Sequence, residues 1–433
     1  MRWLTIILVF STVIFAQLPE EPGPYQVGCR VDTLTRPSST DTSTRVMAVY
    51  TWYPADPIAG YWIEELQAYW LATPVLGDTA RPMVIFSHGG CGHPISSVYY
   101  ISHIASWGFI VISTMHPGSM WGEEDCLDSA SLHDTWLNRP DDISFTLDTM
   151  ITLSHSTPDL FGIIDTTKMG MSGHSFGART TYAVCSRQDW AKCGLAFSGD
   201  YTDIFGAPIN CMEDIRGIDV PIMLMCGTYD LGLEPEHMFE IFDTLEPIKY
   251  AVEISRAGHF HFSDTCSSVL DPYCGADSFL NYDTAHTVIK RYATAFLFKY
   301  ILDDDRFVEY LYMDYDTIAT IIGETTSTVG NAMSMKIKDF TLSISPNPFN
   351  AYCKITFRYP VGEDAFFHST HKLDFKIYDI HGNVMDRYRQ IHPLNDNIFT
   401  FIWKPEKSVS SGVYFVNMEY NNVNLIERLI YVK

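Results

Sequence analysis

The tightest constraint on this chain is a junction near its middle. The apolar run Lys168–Ser172 passes through Gly173-His174-Ser175-Phe176-Gly177 directly into the helix-forming stretch 178–184, ARTTYAV. A strand can become a helix this abruptly only if one residue accepts a strained backbone and its neighbours leave room, which flanking glycines do. Here that residue is Ser175. Its hydroxyl is lifted clear of a sheet at a helix N-terminus, where the dipole favours developing negative charge.

The surrounding sequence supplies such a sheet. Up to Asp303, apolar runs alternate with helical stretches and Gly/Pro turns, the pattern of an α/β domain with a mostly parallel sheet. The expected strands are Val46–Trp52, Met83–Ser87, Phe109–Thr114, Lys168–Ser172, Gly194–Ser198, Ile222–Cys226 and Tyr250–Ser255. Helices are expected over Val98–Trp107, Arg139–Ser154, Phe176–Cys185, His237–Asp243 and Thr284–Leu302. The Thr/Ser/Gly-rich stretch Thr317–Met335 reads as a linker, with a Thr-rich final strand as the alternative. Beyond Lys336 short alternating runs broken by Pro, Gly and Asn suggest a small antiparallel sandwich. The expected organisation is a signal peptide over 1–16, a catalytic domain over 17–310, a linker over 311–336 and a β-sandwich over 337–433.

Composition narrows the class. At 433 residues the chain calls for two or three domains, and 46% hydrophobic with 19% charged residues is ordinarily globular. A net charge of −23 repels phosphate backbones, so no nucleic-acid partner is expected. Met1-Arg2, the apolar run Trp3–Phe15 and Ala16 before Gln17 form the pattern of a secretory signal peptide. Export would let the ten cysteines pair. Cys185 with Cys193 and Cys266 with Cys274 could close local pairs, Cys91 and Cys126 flank one loop region, and Cys226 inside MLMCG reads as a buried free thiol. Neither cysteines nor histidines show metal-ligand spacing, so neither metal nor cofactor is expected.

A serine hydroxyl needs a base, and the base needs a carboxylate to orient it. Downstream of Ser175, the strand-like PIMLMCG ends in Thr228-Tyr229-Asp230 and AVEISRAG ends in His259. Both sites follow strand ends, where open α/β sheets place ligands. His259, following its turn glycine, is preferred to His261 as the base. Asp230 is the expected acid, and Asp200, after GLAFSG, is the alternative. An oxyanion needs two backbone N–H donors. Phe176 supplies one, and Gly90 in His88-Gly89-Gly90-Cys91-Gly92 supplies the other.

In order along the chain, TWYPADP, VIFSHGG, YYISHIASWGFIVIS, RPDDISFTLD, GHSFG and AGHF closely resemble the α/β-hydrolases of the platelet-activating-factor acetylhydrolase and dienelactone-hydrolase-like esterase family. The resemblance runs from Tyr25 to Leu302. It implies a metal-independent esterase acting on short-chain acyl, lipid-like or acetyl esters, with Ser175 and His259 catalytic and Gly90 and Phe176 as oxyanion donors. It keeps both acids open: acetylhydrolase relatives take theirs near Asp200, cutinase-like relatives where Asp230 stands. Ala178 departs from the second glycine that relatives often carry, and the acidic loop Trp121–Leu137 has no family counterpart.

SISPNPFN, FKIYDIHGNVM, SSGVYFVNM and the terminal Lys433 resemble the sorting domain of bacterial type IX (Por) secretion. That resemblance implies an immunoglobulin-like sandwich, with secretion machinery as partner and the medium or outer cell surface as destination. A carbohydrate-binding sandwich is the alternative, although Trp403 and Tyr378 read as core aromatics rather than sugar platforms. The functional expectation is a secreted serine esterase acting on a small or polymeric ester. Rival expectations are a hydrolase of plant-wall acyl esters or polyesters, a serine peptidase or amidase, and a catalytically silent surface protein.

Overall fold

Alternation along one strand shows how the first part of the chain is layered. Met83 and Ile85 join one apolar core while Val84 and Phe86 join another, and all four are fully buried. A strand buried on both faces belongs inside a sheet sandwiched between helices. The computed structural model describes residues 17–77, 79–203, 206–230, 235–246, 248–265, 276, 278–324, 341–358, 374–379, 383–389, 393–395, 398–405, 409–420 and 423–433. The expected signal peptide and the cysteines at 266 and 274 lie outside the described residues. The chain divides into two compact units, Met1–Thr325 and Thr326–Lys433.

In the first unit the principal strands are β1 (Gln26–Pro37), β2 (Thr44–Asp56), β3 (Arg81–Ser87), β4 (Ile110–Thr114), β5 (Ile164–His174), β6 (Gly194–Phe197), β7 (Ile222–Gly227), β8 (Lys249–Ile254) and β9 (Ala319–Glu324). They lie side by side in the order β9-β8-β7-β6-β5-β3-β4-β2-β1, extended past β1 by the short strands Ala68–Trp70 and Tyr61–Ile63. Strands β3 to β8 pair in parallel, whereas β2 runs antiparallel to β4 and β1. Helices α1 (Val98–Ser106) and α6 (Tyr282–Leu297) cover one face. Helices α2 (Ser129–Ser156), α3 (Phe176–Arg187), α4 (Met212–Arg216) and α5 (Pro235–Thr244) cover the other. This is the α/β-hydrolase arrangement, with β3 between β4 and β5. Ser87 is therefore in register with Gly173, and the loops leaving β3 and β5 emerge together at the carboxyl edge of the sheet.

Four expectations change. First, part of the expected linker 311–336 is strand: β9 pairs antiparallel with β8, placing Ala319 and Ile321 in the core. Second, α2 begins ten residues before Arg139, so residues 129–137 of the acidic loop are helical. Asp128 caps that start, accepting from the amides of Ala130 and Ser131 at 3.0 and 3.2 Å. Pro140 imitates a helix start in sequence, but burial of Trp136, Asn138 and Arg139 carries the helix through it. Third, Cys185 and Cys193 do not pair. Cys193 shares a sheet face with Leu195 and Phe197, while Cys185 on α3 packs on the opposite face with Ala196. Fourth, β1 and the two short strands beyond it were not anticipated. Cys226 is a buried free thiol, and Cys91 is joined to Cys126.

The second unit holds two antiparallel four-stranded sheets among the described residues. One orders its strands Thr341–Ser345, Cys353–Arg358, Ile398–Trp403, Pro393–Asn395; the other Val384–Arg389, Asp374–Asp379, Gly412–Tyr420, Val423–Tyr431. Ile355 and Phe357 from one sheet share a core with Phe375, Ile377 and Val416 from the other, which makes a sandwich. Trp403 belongs to that core, edge-on to Phe349 and Tyr414, whereas Tyr378 is half-buried.

Candidate active site

At the junction between β5 and α3, Ser175 takes φ 57° and ψ −117°, a region side-chain-bearing residues rarely occupy. Its amide donates to the Phe197 carbonyl at 2.8 Å, which pins the strained residue to β6. Packing accounts for both flanking glycines. A Cβ on Gly173 would lie 2.2 Å from the Gly177 carbonyl oxygen, and one on Gly177 would lie 1.8 Å from the Ser87 carbonyl oxygen. Ala178 is accommodated by Gly199, where a Cβ would come within 2.4 Å of the Ala178 methyl. Ser175 itself is half-buried.

His259 follows β8 and is drawn to this junction. Its carbonyl accepts from His174 Nε2 at 3.0 Å, and the two imidazoles lie 4.8 Å apart. His174 is buried, and burial together with the neighbouring His259 holds its imidazole well below the ordinary range, so it is neutral. His259 Nδ1 donates to Asp230 Oδ1 at 3.0 Å, with Oδ2 at 3.2 Å. The Asp230 side chain is fully buried.

Asp200 faces elsewhere. It lies 3.7 Å from Arg179 and 3.2 Å from His237, and it accepts from the Thr202 amide and hydroxyl. His261 is held by structure: Nδ1 accepts from the Gly258 amide at 3.0 Å, Nε2 donates to the Leu280 carbonyl at 2.8 Å, and the ring stacks on Tyr282.

The loop after β3 packs directly over Ser175. A Cβ on Gly89 would lie 3.3 Å from the Ser175 Cβ, and one on Gly90 would lie 3.9 Å from the Phe176 side chain. The two expected oxyanion donors are thus neighbours. Arg139 from α2, buried and set 4.4 Å over the Phe176 ring, clamps this loop. It donates to the His88 carbonyl at 2.6 Å, the Gly89 carbonyl at 3.2 Å and Ser119 Oγ at 2.8 Å. His88 Nδ1 also donates to the Gly89 carbonyl, at 2.8 Å. Because a trans peptide directs its C=O and N–H oppositely, holding the Gly89 carbonyl toward Arg139 turns the Gly90 N–H away from it.

Behind the clamp, Asp142 accepts from Arg36, Arg45 and His116. Burial alone would raise the Asp142 carboxyl, but hydrogen bonds from His116 and Arg45, together with the Arg45 charge, outweigh it and hold it ionised. Burial and the nearby Arg139 pull His116 down to about 4. The disulfide Cys91–Cys126 ties the same loop to the segment before α2, and the Trp121 amide donates to the Gly92 carbonyl at 3.0 Å. Trp121 is 68% exposed.

Sequence reasoning missed Ser198 and Arg139. Ser198 Oγ touches both His259 and Asp230. A serine after a strand carries no distinguishing signal, and Arg139 was noticed only as part of RPDDISFTLD. Among the described residues, no cluster of three or more His, Cys, Asp or Glu is placed to hold a metal ion, and no helix is long and apolar enough to cross a membrane.

Comparison with known proteins bears on the fold and on the C-terminal unit. Residues 343–433 match the secretion system C-terminal sorting domain family, which marks type IX export to the cell surface or medium. The esterase-class protein YitV of Bacillus subtilis is 28% identical over 173 residues, covering 37% of this chain and 64% of YitV, so the chain spans just under two thirds of that relative. Platelet-activating factor acetylhydrolase of Cavia porcellus is 21% identical over 366 residues, covering 69% of this chain and 81% of the relative. The structure of a ferulic acid esterase from Streptomyces cinnamoneus superposes with a TM-score of 0.54 at 20% identity, covering 70% of this chain and 98% of that one. A likeness that distant speaks for the fold. The first unit thus has an α/β-hydrolase fold and is distantly similar to platelet-activating-factor acetylhydrolase and to esterases, and the chain ends in a segment that matches the secretion-system C-terminal sorting domain.

Proposed function

We propose that this protein is an exported serine esterase that hydrolyses short-chain acyl, lipid-like or acetyl esters through an acyl-enzyme on Ser175. The observations that carry the reading are Ser175 held at φ 57° on the N-terminus of α3, its neighbour His174 bonded to the His259 carbonyl, and a His259 imidazole oriented by a buried carboxylate. The Ser175 hydroxyl attacks the ester carbonyl, and His259 Nε2, the nitrogen not turned to Asp230, takes its proton. The N–H groups of Phe176 and Gly90 stabilise the oxyanion. His259 returns the proton to the departing alcohol, then deprotonates a water that releases the acid and regenerates Ser175. The names of the two relatives support ester chemistry.

Turnover of p-nitrophenyl acetate or butyrate by purified protein tests this directly. Ser175→Ala should abolish it and should block labelling by a fluorophosphonate probe; retained turnover would end the assignment. Trp121, exposed on the disulfide-tied loop, is proposed to take part in substrate choice. Trp121→Ala should alter the preference across esters of increasing acyl length, read as kcat/KM. Cleavage of matched amides faster than esters would favour the peptidase reading.

A further inference from the structure

The proposed triad has a fourth group packed into it. Ser198 stands just past the end of β6 and is 1% exposed. Its backbone is held at φ 51°, and its amide donates to the Met225 carbonyl at 2.7 Å, so its side chain is aimed by β7 as well as by β6. Ser198 Oγ lies 2.9 Å from His259 Nδ1 and hydrogen-bonds Asp230 Oδ2. The Nδ1–H of His259 is therefore shared between Asp230 and a hydroxyl, and that hydroxyl's own proton is given to the same carboxylate. A serine placed for local turn geometry alone would need neither contact. The left-handed backbone is also costly for a residue with a Cβ, which points to a position selected for where its side chain lands.

We propose that Ser198 is a positioning residue for the imidazole–carboxylate pair, locking Asp230 and His259 in the orientation that lets His259 accept the Ser175 proton. The inference rests on the proposed role of Ser175, His259 and Asp230. Aspartate tolerates the left-handed region better than most residues, so Ser198→Asp is compatible with the backbone there.

Two variants test it in the full-length protein with p-nitrophenyl butyrate. Ser198→Ala should lower kcat roughly tenfold while leaving KM within about twofold, with an unchanged thermal midpoint. Asp230→Ser should be nearly inactive, and the exchanged pair Asp230→Ser/Ser198→Asp should recover at least roughly tenfold in kcat over Asp230→Ser alone. A structural role would not produce that recovery. Wild-type kcat in Ser198→Ala, or an exchanged pair no better than Asp230→Ser, overturns the proposal. Failure of the underlying reading shows separately, as retained turnover in Ser175→Ala.

Discussion

Gly177 and Gly89 both lie close to Ser175, yet packing gives them different tasks. The atom that a Cβ on Gly177 would strike is the Ser87 carbonyl oxygen, part of the central sheet, at 1.8 Å. Backbone in a sheet cannot move aside, so Gly177→Ala should destabilise the first unit by about 3 kcal/mol or prevent folding, as read by urea denaturation. Gly89→Ala instead meets the Ser175 Cβ at 3.3 Å, so its cost should fall on the nucleophile. Lowered kcat at near-native stability is the expected result. The carboxylates divide as clearly. Asp230 reaches His259 Nδ1 at 3.0 Å, whereas Asp200 pairs with Arg179 and His237. Asp230→Asn should cost roughly 10³–10⁴-fold in kcat, by analogy with other serine triads, and Asp200→Asn less than about tenfold.

Helix α2 does more than cover the sheet. Its early start brings Leu132 against Gly90 and stacks Trp136 on Phe176, and Arg139 then clamps the carbonyls of His88 and Gly89. Removing a buried charge that satisfies several acceptors leaves them unpaired, so Arg139→Met should cost about 3 kcal/mol of stability. Rising urea midpoints on restoring arginine would confirm the assignment, and an unchanged midpoint in Arg139→Met would refute it. The disulfide stitches the same loop from the other side. Cys91 and Cys126 are 35 residues apart, and a loop-closure estimate gives about 4 kcal/mol for that cross-link. Chemical reduction should therefore lower the denaturation midpoint of the wild type by more than that of a Cys91→Ala/Cys126→Ala variant.

Across the whole molecule, stability should fall as the medium is acidified. His88 and His174 are held well below the ordinary imidazole range by burial, then by Arg139 and His259 respectively. Burial takes His103 to about 3, and His116 and His286 to about 4. Each is neutral when folded but would take a proton when unfolded, so its contribution is complete above pH about 6.5 and is lost as pH falls toward the folded value. Each contributes about 1.4 kcal/mol per pH unit of that window. Asp264 opposes them: burial raises it to about 6, so it favours the folded state at low pH and loses that contribution as pH rises through about 6. Five histidines outweigh one carboxylate. Thermal midpoints measured from pH 7 to 4 should drop steeply; a flat profile would show that the histidines are not buried as described.

What could be determined from sequence was local. The junction GHSFG carries its own geometry in five adjacent residues, and strand-by-strand apolar runs gave the parallel core because each run needs only its own pattern to be recognised. The C-terminal sandwich was legible for the same reason. Long-range pairing was not. Asp200 and Asp230 both follow strands, and only the placement of β6 and β7 beside His259 turns one toward the imidazole and the other toward Arg179. Cys185 and Cys193 are neighbours in sequence but lie on opposite faces of the sheet, while Cys91 and Cys126 meet across 35 residues. Ser198 and Arg139 acquire meaning only from partners 61 and 51 residues away, His259 and His88. Tertiary packing alone decides such contacts, since hydrogen bonds between distant residues leave no periodicity in the chain.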